Sequence, residues 1–312
     1  MERRSGPERT NFRKGMGINM ATLGTPTATA AVLDKYHFTF RKKYGQNFLV
    51  DIHMLEKIVD CAGLTKEDCV LEIGPGIGTM TQYLAERAGK VIVVEIDGDL
   101  IPILRDTQQE YDNVTILHQD ILKVDPHQLA EENIADKYKS FKVVANLPYY
   151  ITTPIIMNLL EKKVPLDNIT IMVQKEVAER MQVGPGTKDY GALSLAVQYY
   201  AKPEVVATVP PECFMPRPKV ASAVIRLSLY KEPPIKVSDP EYMFRLIRAS
   251  FNQRRKTLVN GLCNDKSLHL TREAVTEALR EMGLSETIRG ETLTLEQFGE
   301  LAEKCAAASG MR

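Results

Sequence analysis

One stretch of sequence decides the fold of this chain: Cys69-Val70-Leu71-Glu72-Ile73-Gly74-Pro75-Gly76-Ile77-Gly78. The apolar run at residues 69–73 predicts a buried strand. The glycines after it predict a tight turn whose backbone can approach a ligand closely. A helix-like segment follows at residues 80–87. A strand, a glycine turn and a helix in this order predict an α/β fold, in which helices cover a mostly parallel sheet.

The same alternation continues through residues 51–230. Further strands are predicted at residues 90–95, 114–118, 141–145 and 169–173, with helices between them such as 153–162. Two later runs of strand composition, 205–209 and 220–229, have a short link and predict a terminal antiparallel hairpin. Ligands of such sheets bind beyond the carboxyl ends of the strands. The residues that follow each strand are therefore the candidates for a site.

Helical patterns follow the boundary at Pro233-Pro234. Apolar residues between 241 and 262 share one helix face, but Arg255 falls on it, so either the helix breaks near Asn252 or an arginine is placed there for a purpose. A second helix is predicted at 271–282, ended by Gly283, and a capping box at 294–297 opens a third. We predict three regions: a largely disordered extension at 1–34, an α/β domain at 35–231 and a small all-α domain at 236–312.

Composition bounds the class of protein. The chain has 312 residues and suggests about two domains. No apolar run approaches the roughly 18 residues of a membrane span, so no membrane partner is expected. None of the five cysteines forms a C-x-x-C pair, so no metal is expected, and the odd count without a signal peptide favours the reducing cytoplasm.

The first 34 residues are basic and lack an apolar face. Glu2 and Glu8 within them argue against a mitochondrial presequence, which would be poor in acids. Met20 is a plausible alternative start, and residues 28–36 are expected to form a short helix that leads into the fold.

The ends of the first three strands predict a nucleoside-like ligand. Glu95 ends the second strand, where a carboxylate can accept hydrogen bonds from both hydroxyls of a ribose. Asp120 follows the third strand, where it can meet an adenine amino group. A nicotinamide dinucleotide is the competing ligand, but its fingerprint needs glycine at position 79, which is Thr79. We therefore favour S-adenosylmethionine (SAM), which has no pyrophosphate, as the cofactor.

The fourth strand ends in Asn146-Leu147-Pro148-Tyr149, which predicts the reacting site. The exocyclic amine of adenine is a poor nucleophile, and its nitrogen must become more tetrahedral to accept a methyl group. The side-chain oxygen of Asn146 and the backbone carbonyl of Leu147 are candidate acceptors that would favour this change. Pro148 stiffens the turn, and Tyr149 offers a face for stacking. Taken alone, the motif is equally compatible with an ordinary turn.

Four ordered motifs carry a family resemblance. The segment Tyr44-Gly45-Gln46-Asn47-Phe48-Leu49, the glycine turn, residues 146–149 and Phe214-Met215-Pro216-Arg217-Pro218-Lys219-Val220 together resemble the ribosomal RNA adenine N6-methyltransferase family. The resemblance runs from about Tyr36 to the C-terminal helices. Residues 251–258 make the chain similar to its bacterial small-subunit branch. The related erythromycin-resistance methylases of large-subunit RNA share the first motifs but not this segment.

The resemblance implies a Rossmann-like SAM-dependent methyltransferase sheet and a set of roles. Asn47 and Leu49 would contact SAM, Gly74 and Gly76 would lie under it, and Asn146 would span cofactor and target. Tyr149 and Phe214 would sandwich a flipped base, although Phe214 taken alone reads more readily as a core residue. The family transfers two methyl groups to each of two adjacent adenines in a hairpin loop near the 3′ end of small-subunit rRNA. Tyr150, Thr152 and Thr153 depart from the commoner residues of relatives, with no expected effect on the chemistry.

Basic residues predict the RNA surface. The formal net charge of the chain is zero, yet residues 203–260 hold ten Lys or Arg against five acids. Such a local excess beside a methylase core favours contact with RNA phosphates. The candidate contacts are Lys42, Lys43, Arg217, Lys219, Arg248, Arg254, Arg255 and Lys256.

Two other functions compete with the methyltransferase hypothesis. A ribosome-binding assembly factor would contribute docking rather than chemistry, and both roles can coexist. A DNA adenine methylase would typically carry proline in place of Leu147. The expected partner is small-subunit rRNA within a ribosomal subunit or its precursor, late in biogenesis, and the chain is expected to act as a monomer.

Overall fold

The computed structural model describes residues 23–134, 137–162 and 164–308, apart from the side chain of Lys42. The predictions for the basic residues of the extreme N-terminus and for Met20 lie outside the described residues. None of the helices within these ranges is long and apolar enough to cross a membrane.

Seven strands form one sheet. They are β2 (Asp68–Ile73), β3 (Lys90–Glu95), β4 (Val114–His118), β5 (Ser140–Asn146), β6 (Asn168–Gln174), β7 (Ala201–Val209) and β9 (Ser222–Leu229). Each strand predicted from the sequence is present. Four are longer than predicted by one to four residues, β3 and β4 have the predicted bounds, and β9 begins at Ser222 rather than at residue 220. The bounds differ because burial extends beyond the apolar core of each run: Asp68 and Ser140, which flank the predicted strands, are themselves buried.

The order of the strands places the site. The sheet runs β4-β3-β2-β5-β6-β9-β7, with β2 to β6 parallel and β9 antiparallel to both of its neighbours. The predicted terminal hairpin is therefore confirmed. The chain reverses its direction of winding between β2 and β5, which pair directly. A crevice opens at the carboxyl ends of the strands at such a reversal.

A second, two-stranded sheet was not predicted. It pairs β1 (Phe48–Leu49) with β8 (Phe214–Met215), and both strands carry motif residues. The pairing joins segments more than 160 residues apart and rests on two residues a side, so no local periodicity announces it. It brings the two outermost family motifs together.

Twelve helices complete the fold of the described residues. They are α1 (Pro26–Lys35), α2 (Ile52–Ala62), α3 (Thr79–Arg87), α4 (Leu100–Thr107), α5 (Pro126–Ile134), α6 (Thr152–Glu161), α7 (Lys175–Gln182), α8 (Ala192–Tyr200), α9 (Pro240–Asn252), α10 (Leu258–Asn264), α11 (Arg272–Glu281) and α12 (Leu295–Ala308). On one face of the sheet α2 and α3 bury their apolar residues, and on the other α6, α7 and α8 do so.

Helix α8 belongs to two cores. Its residues Leu193 and Val197 pack against the sheet, whereas Leu195, Ala196 and Tyr199 pack against the C-terminal helices. A helix that is apolar all round is buried on all sides, and this one connects the α/β part to the helical part.

The C-terminal helices decide between two alternatives that the sequence left open and confirm two predictions. The helix predicted over 241–262 breaks after Asn252 and resumes at Leu258, which is the first of the two alternatives left open by Arg255. Gly283 adopts the left-handed conformation (φ 67°) just past α11. The capping box is present. The side-chain oxygen of Gln297 accepts a hydrogen bond from the backbone N–H of Thr294, and the hydroxyl of Thr294 accepts one from the backbone N–H of Gln297.

The N-terminal part of the described chain is built into the fold. Thr25 caps α1 by accepting from the backbone N–H of Ala28, and Pro26 occupies the first turn. Leu23 is only 1% exposed and donates its backbone N–H to the side chain of Gln82. The helix predicted over 28–36 is therefore present as α1, and residues 23–34, placed by the sequence in a largely disordered extension, contribute to the core.

Candidate active site

A cleft lies at the carboxyl edge of the parallel strands, over the reversal between β2 and β5. It contains about 990 Å³ of free space, a figure that includes the solvent of its open mouth. Ten of the predicted site residues line it: Asn47, Leu49, Gly74, Gly76, Glu95, Asp120, Asn146, Leu147, Pro148 and Tyr149. The neighbouring Tyr150, which had no predicted role, also lines it.

The glycine turn forms the floor of the cleft. Gly74 and Gly76 have φ of 67° and 62°, in the left-handed region that other residues rarely adopt. A Cβ on Gly76 would lie 2.8 Å from the ring of Phe48, and one on Gly74 would approach Pro148. The turn is therefore a backbone cradle without side chains, as a closely bound ligand requires.

Glu95 is buried beside this cradle. Its carboxylate accepts hydrogen bonds from the backbone N–H groups of Gly76 (3.3 Å) and Asp97 (2.9 Å). Burial raises the pKa of Glu95 to about 6, although these backbone donors oppose the shift. The carboxylate is thus held at a fixed position, with its negative charge only partly neutralised by the backbone.

Glu72, which was given no role from the sequence, is 1% exposed and lines the same cleft. Its carboxyl accepts a hydrogen bond of 2.6 Å from the hydroxyl of Thr81. Burial raises its pKa to about 8, and the nearby charge of Glu95 adds to the rise while Thr81 opposes it. Glu72 was not predicted as a site residue because it lies within a strand and not after one. An acidic residue inside an otherwise apolar run could have indicated its role.

Asp120 holds the turn that follows β4. One carboxylate oxygen accepts from the backbone N–H of Leu122 over 3.0 Å and caps the 3₁₀ turn Ile121–Lys123. This bond fixes the side chain at the rim of the cleft. No Lys or Arg is among the described residues that line the cleft, whereas the carboxylates of Glu95 and Asp120 are. This lining suits a cationic ligand such as SAM better than a pyrophosphate.

Asn146 connects two motifs across the cleft. Its Nδ2 donates a hydrogen bond of 3.0 Å to the backbone carbonyl of Asn47. The next residue, Leu147, is buried and donates its N–H to the carbonyl of Met172. Within the described ranges, no backbone N–H donates to the carbonyl of Leu147. The Oδ1 of Asn146 and this carbonyl are the two acceptors that the sequence predicted.

The two predicted stacking residues have different surroundings. Tyr149 lines the cleft, and its hydroxyl shares a hydrogen bond of 2.6 Å with that of Ser222. Phe214 is 3% exposed and packs in the core with Leu49 and Val224. The structure therefore brings Tyr149 to the site but places Phe214 beneath the surface, in the core environment that its sequence alone favoured.

The predicted RNA contacts divide into exposed and engaged cations. Lys43, Arg217, Lys219, Arg255 and Lys256 are exposed, and the Lys42 side chain lies outside the described residues. Arg248 is exposed but forms an ion pair of 2.7 Å with Glu161.

Arg254 is the most constrained cation of its run. It pairs with Glu291 (2.6 Å) and donates to the backbone carbonyls of Thr187 and Lys188. These contacts fasten the loop between α7 and α8 to the break between α9 and α10, so a structural role competes with phosphate binding.

A protein-family model and proteins of known name are similar to this chain. The family model described as ribosomal RNA adenine dimethylase matches residues 37–305. The protein named ribosomal RNA small subunit methyltransferase A from Lachnoclostridium phytofermentans is 64% identical over 285 residues, covering 91% of this chain and 98% of that protein. Its namesake from Alkaliphilus metalliredigens is 54% identical over 290 residues, covering 92% and 99%.

Solved structures show the same fold. A dimethyladenosine transferase from Plasmodium falciparum superposes with a TM-score of 0.70 at 25% identity, covering 84% of this chain and 98% of that one. The 23S rRNA methyltransferase ErmE superposes with a TM-score of 0.59 at 27% identity, covering 82% and 98%.

Proposed function

The chain belongs to the ribosomal RNA adenine dimethylase family, and from this premise we propose its substrate and the roles of its residues. The proposed reaction transfers methyl groups from SAM to the N6 of two adjacent adenines in a 3′-terminal hairpin loop of small-subunit rRNA, giving N6,N6-dimethyladenosines. The observation that carries the proposal is the bond from Asn146 to the Asn47 carbonyl, which fixes an amide at the end of β5 beside the glycine cradle.

The cofactor is SAM, and the cleft fits it in its glycine floor and in its acidic lining. The residues that would hold it are Asn47, Leu49, Gly74, Gly76, Glu95, Asp120 and Asn146. The Glu95 carboxylate would accept from the ribose hydroxyls, and Asp120 would meet the adenine. When bound, SAM supplies a methyl group that is already activated by its sulfonium.

The chain's own contribution to the reaction is positioning. Because its Nδ2 donates to Asn47, the amide of Asn146 presents its Oδ1 to accept a hydrogen bond from the target amine. The Leu147 carbonyl supplies a second acceptor, and together they favour a more tetrahedral nitrogen. Fixed dipoles of this kind need no rearrangement during the reaction, and orientation supplies much of the remaining rate.

The target adenine must leave its stack to enter the cleft. Flipping a base costs a few kcal/mol, and stacking on an aromatic ring returns roughly 1–3 kcal/mol. Tyr149 supplies one ring at the cleft. We propose that Phe214 supplies the other, which requires its ring to become accessible when RNA binds.

We also propose the particle on which the chain acts, its oligomeric state and its RNA contacts. The substrate is small-subunit rRNA within a ribosomal subunit or its precursor, the chain acts late in biogenesis as a monomer, and the site of action is the cytoplasm. The exposed cations Lys43, Arg217, Lys219, Arg255 and Lys256 would contact RNA phosphates.

The experiment offers labelled SAM and the purified protein to three acceptors: small-subunit particles whose rRNA lacks dimethyladenosine, large-subunit particles and duplex DNA. Nucleoside analysis by mass spectrometry should find N6,N6-dimethyladenosine in small-subunit rRNA alone. Methylation of the other acceptors would contradict the proposal. Binding to the small subunit without any methyl transfer would favour the assembly-factor alternative.

A further inference from the structure

Residues 41–47 form a strap across the candidate cofactor site. The strap begins beside the loop that follows β3 and ends at Asn47, which is bound by Asn146 at the end of β5. Because β2 lies between β3 and β5 in the sheet, the strap spans the end of β2, where the glycine cradle begins. Four of its residues, 44–47, line the cleft.

A buried carboxylate anchors the first end of the strap. Asp97 is fully buried, and one of its oxygens pairs with the guanidinium of Arg41 (3.1 Å) while the other accepts from the side-chain amide of Gln46 (2.7 Å). The side-chain oxygen of Gln46 in turn accepts a hydrogen bond of 2.8 Å from the backbone N–H of Arg41. Arg41 also pairs with Asp99. The three side chains therefore close a ring of hydrogen bonds that fixes both ends of residues 41–46.

The same aspartate is bonded to the proposed ribose carboxylate. The backbone N–H of Asp97 donates to Glu95 over 2.9 Å. A displacement of Asp97 would therefore move a donor that holds Glu95 in place. The strap and the ribose carboxylate share one support.

The rest of the strap rests on the cleft itself. The ring of Tyr150 packs against Gly45, at 3.5 Å from where a Cβ would stand. Just beyond the strap, Phe48 packs on Gly76 of the cradle. A ligand on the cradle is thus covered by a segment whose polar attachment depends on Asp97.

We propose that Arg41, Gln46 and Asp97 are positioning residues that fasten the strap over bound SAM, so that SAM leaves only when the attachment to Asp97 opens. The proposal rests on the proposed function, since it deepens the assignment of the same cleft. In this proposal none of the three side chains contacts the reacting atoms. Their effect acts through Glu95 and Asn47.

The test measures SAM dissociation directly, by stopped-flow displacement, in Arg41→Met. This change keeps much of the apolar stem and removes the cation, leaving the buried Asp97 without its charge partner. Loss of a charge-assisted hydrogen bond should speed SAM dissociation about tenfold or more. Hydrogen exchange of residues 41–47 in the SAM complex should rise in parallel. Arg41→Lys keeps the charge and should restore part of the slow dissociation.

The matched control is Lys35→Met. Lys35 lies on the same N-terminal segment and pairs with Asp106 over 2.7 Å, outside the strap, so its loss should leave SAM dissociation unchanged. If Arg41→Met does not fold, Gln46→Ala tests the same attachment without removing a charge. This variant should also speed SAM dissociation. Unchanged dissociation in folded strap variants would overturn the proposal.

The two proposals fail separately. The identity of the methylated nucleoside, measured at saturating SAM, reports on the proposed function, whereas the dissociation rate is measured without RNA. Methylation of the expected adenines with unchanged dissociation would overturn the strap alone. Faster dissociation with methylation of a different acceptor would overturn the substrate assignment alone.

Discussion

Asn146 donates from its side-chain Nδ2 to the backbone carbonyl of Asn47 over 3.0 Å. The bond joins the end of β5 to a segment 99 residues earlier in the chain. It has a chemical consequence, because an amide whose nitrogen is committed presents its oxygen to a substrate. The orientation of the amide, and hence its role as an acceptor for the target amine, is set by the segment that also covers the cofactor.

Glu95 predicts a pH dependence of SAM binding. Its pKa is raised to about 6, chiefly by burial, so the carboxylate becomes protonated as the pH falls through about 6 and loses acceptor capacity for the ribose hydroxyls. The Kd for SAM, measured by calorimetry, should be constant above pH 7 and should rise below pH 6. In Glu95→Gln the Kd should be higher throughout and should lose this pH dependence. A wild-type Kd that is flat from pH 5 to pH 8 would contradict the assignment of Glu95.

Glu72 predicts a pH dependence of stability. Its pKa is about 8 in the folded protein against an ordinary value of 4.5, with burial as the first cause. Between these values the folded state binds more protons than the unfolded state, so the free energy of unfolding falls as the pH rises from about 4.5 to about 8. Glu72→Gln, which keeps an acceptor for Thr81, should therefore have a higher Tm than wild type at pH 8. The difference should vanish near pH 4.5, and an equal Tm at pH 8 would show that Glu72 is not held neutral.

Lys142 predicts a large loss of stability on substitution. Lys142 and Asp68 form a nearly buried ion pair of 2.8 Å, and the lysine also donates to the Gly63 carbonyl. Burial opposes ionisation of Asp68, yet the bonds from Lys142, Ser140 and Thr65 hold its pKa below the ordinary value. Lys142→Met leaves that charge unpaired and should cost about 3–5 kcal/mol in urea unfolding.

Lys139 is the control for this experiment. It lies three residues away and pairs with Glu67, but its side chain is 76% exposed. Exposed pairs contribute about 0–1 kcal/mol, so Lys139→Met should change little. If Lys142→Met and Lys139→Met lowered the free energy of unfolding equally, the distinction between a buried and an exposed ion pair would be contradicted.

Three consecutive cations predict different phenotypes. Arg255 and Lys256 are exposed, whereas Arg254 is bonded to Glu291 and to two backbone carbonyls. The pair Arg255→Glu and Lys256→Glu should weaken small-subunit binding and reduce its salt dependence, with SAM affinity and Tm preserved. Arg254→Ala should instead lower the Tm. Unchanged subunit binding after the double charge reversal would remove this surface from the RNA interface.

The sequence predicted the sheet because each strand contains a short apolar run, and the parallel order of β2 to β5 brings together the functional residues that end or follow these four strands. Glu95 and Asp120 needed only this local pattern. The pairing of Arg41 with Asp97 was not predicted because it spans 56 residues, although Asp97 itself lies only two residues past the end of β3. The run 254–256 shows a second limit, since composition locates a charge without its partner. Phe214 shows a third, because a motif does not reveal whether a ring is buried.

The most direct test of the central assignment is mass spectrometry of small-subunit rRNA from cells that lack this protein, complemented with wild type or with Asn146→Ala. Wild type should restore two methyl groups on each of two adjacent adenines near the 3′ end. Asn146→Ala, which removes the proposed acceptor, should reduce the transfer rate by about 10²–10³-fold and leave those adenines undermethylated, while the variant still binds the subunit. Dimethylation that is already present without the protein, or fully restored by Asn146→Ala, would contradict the assignment.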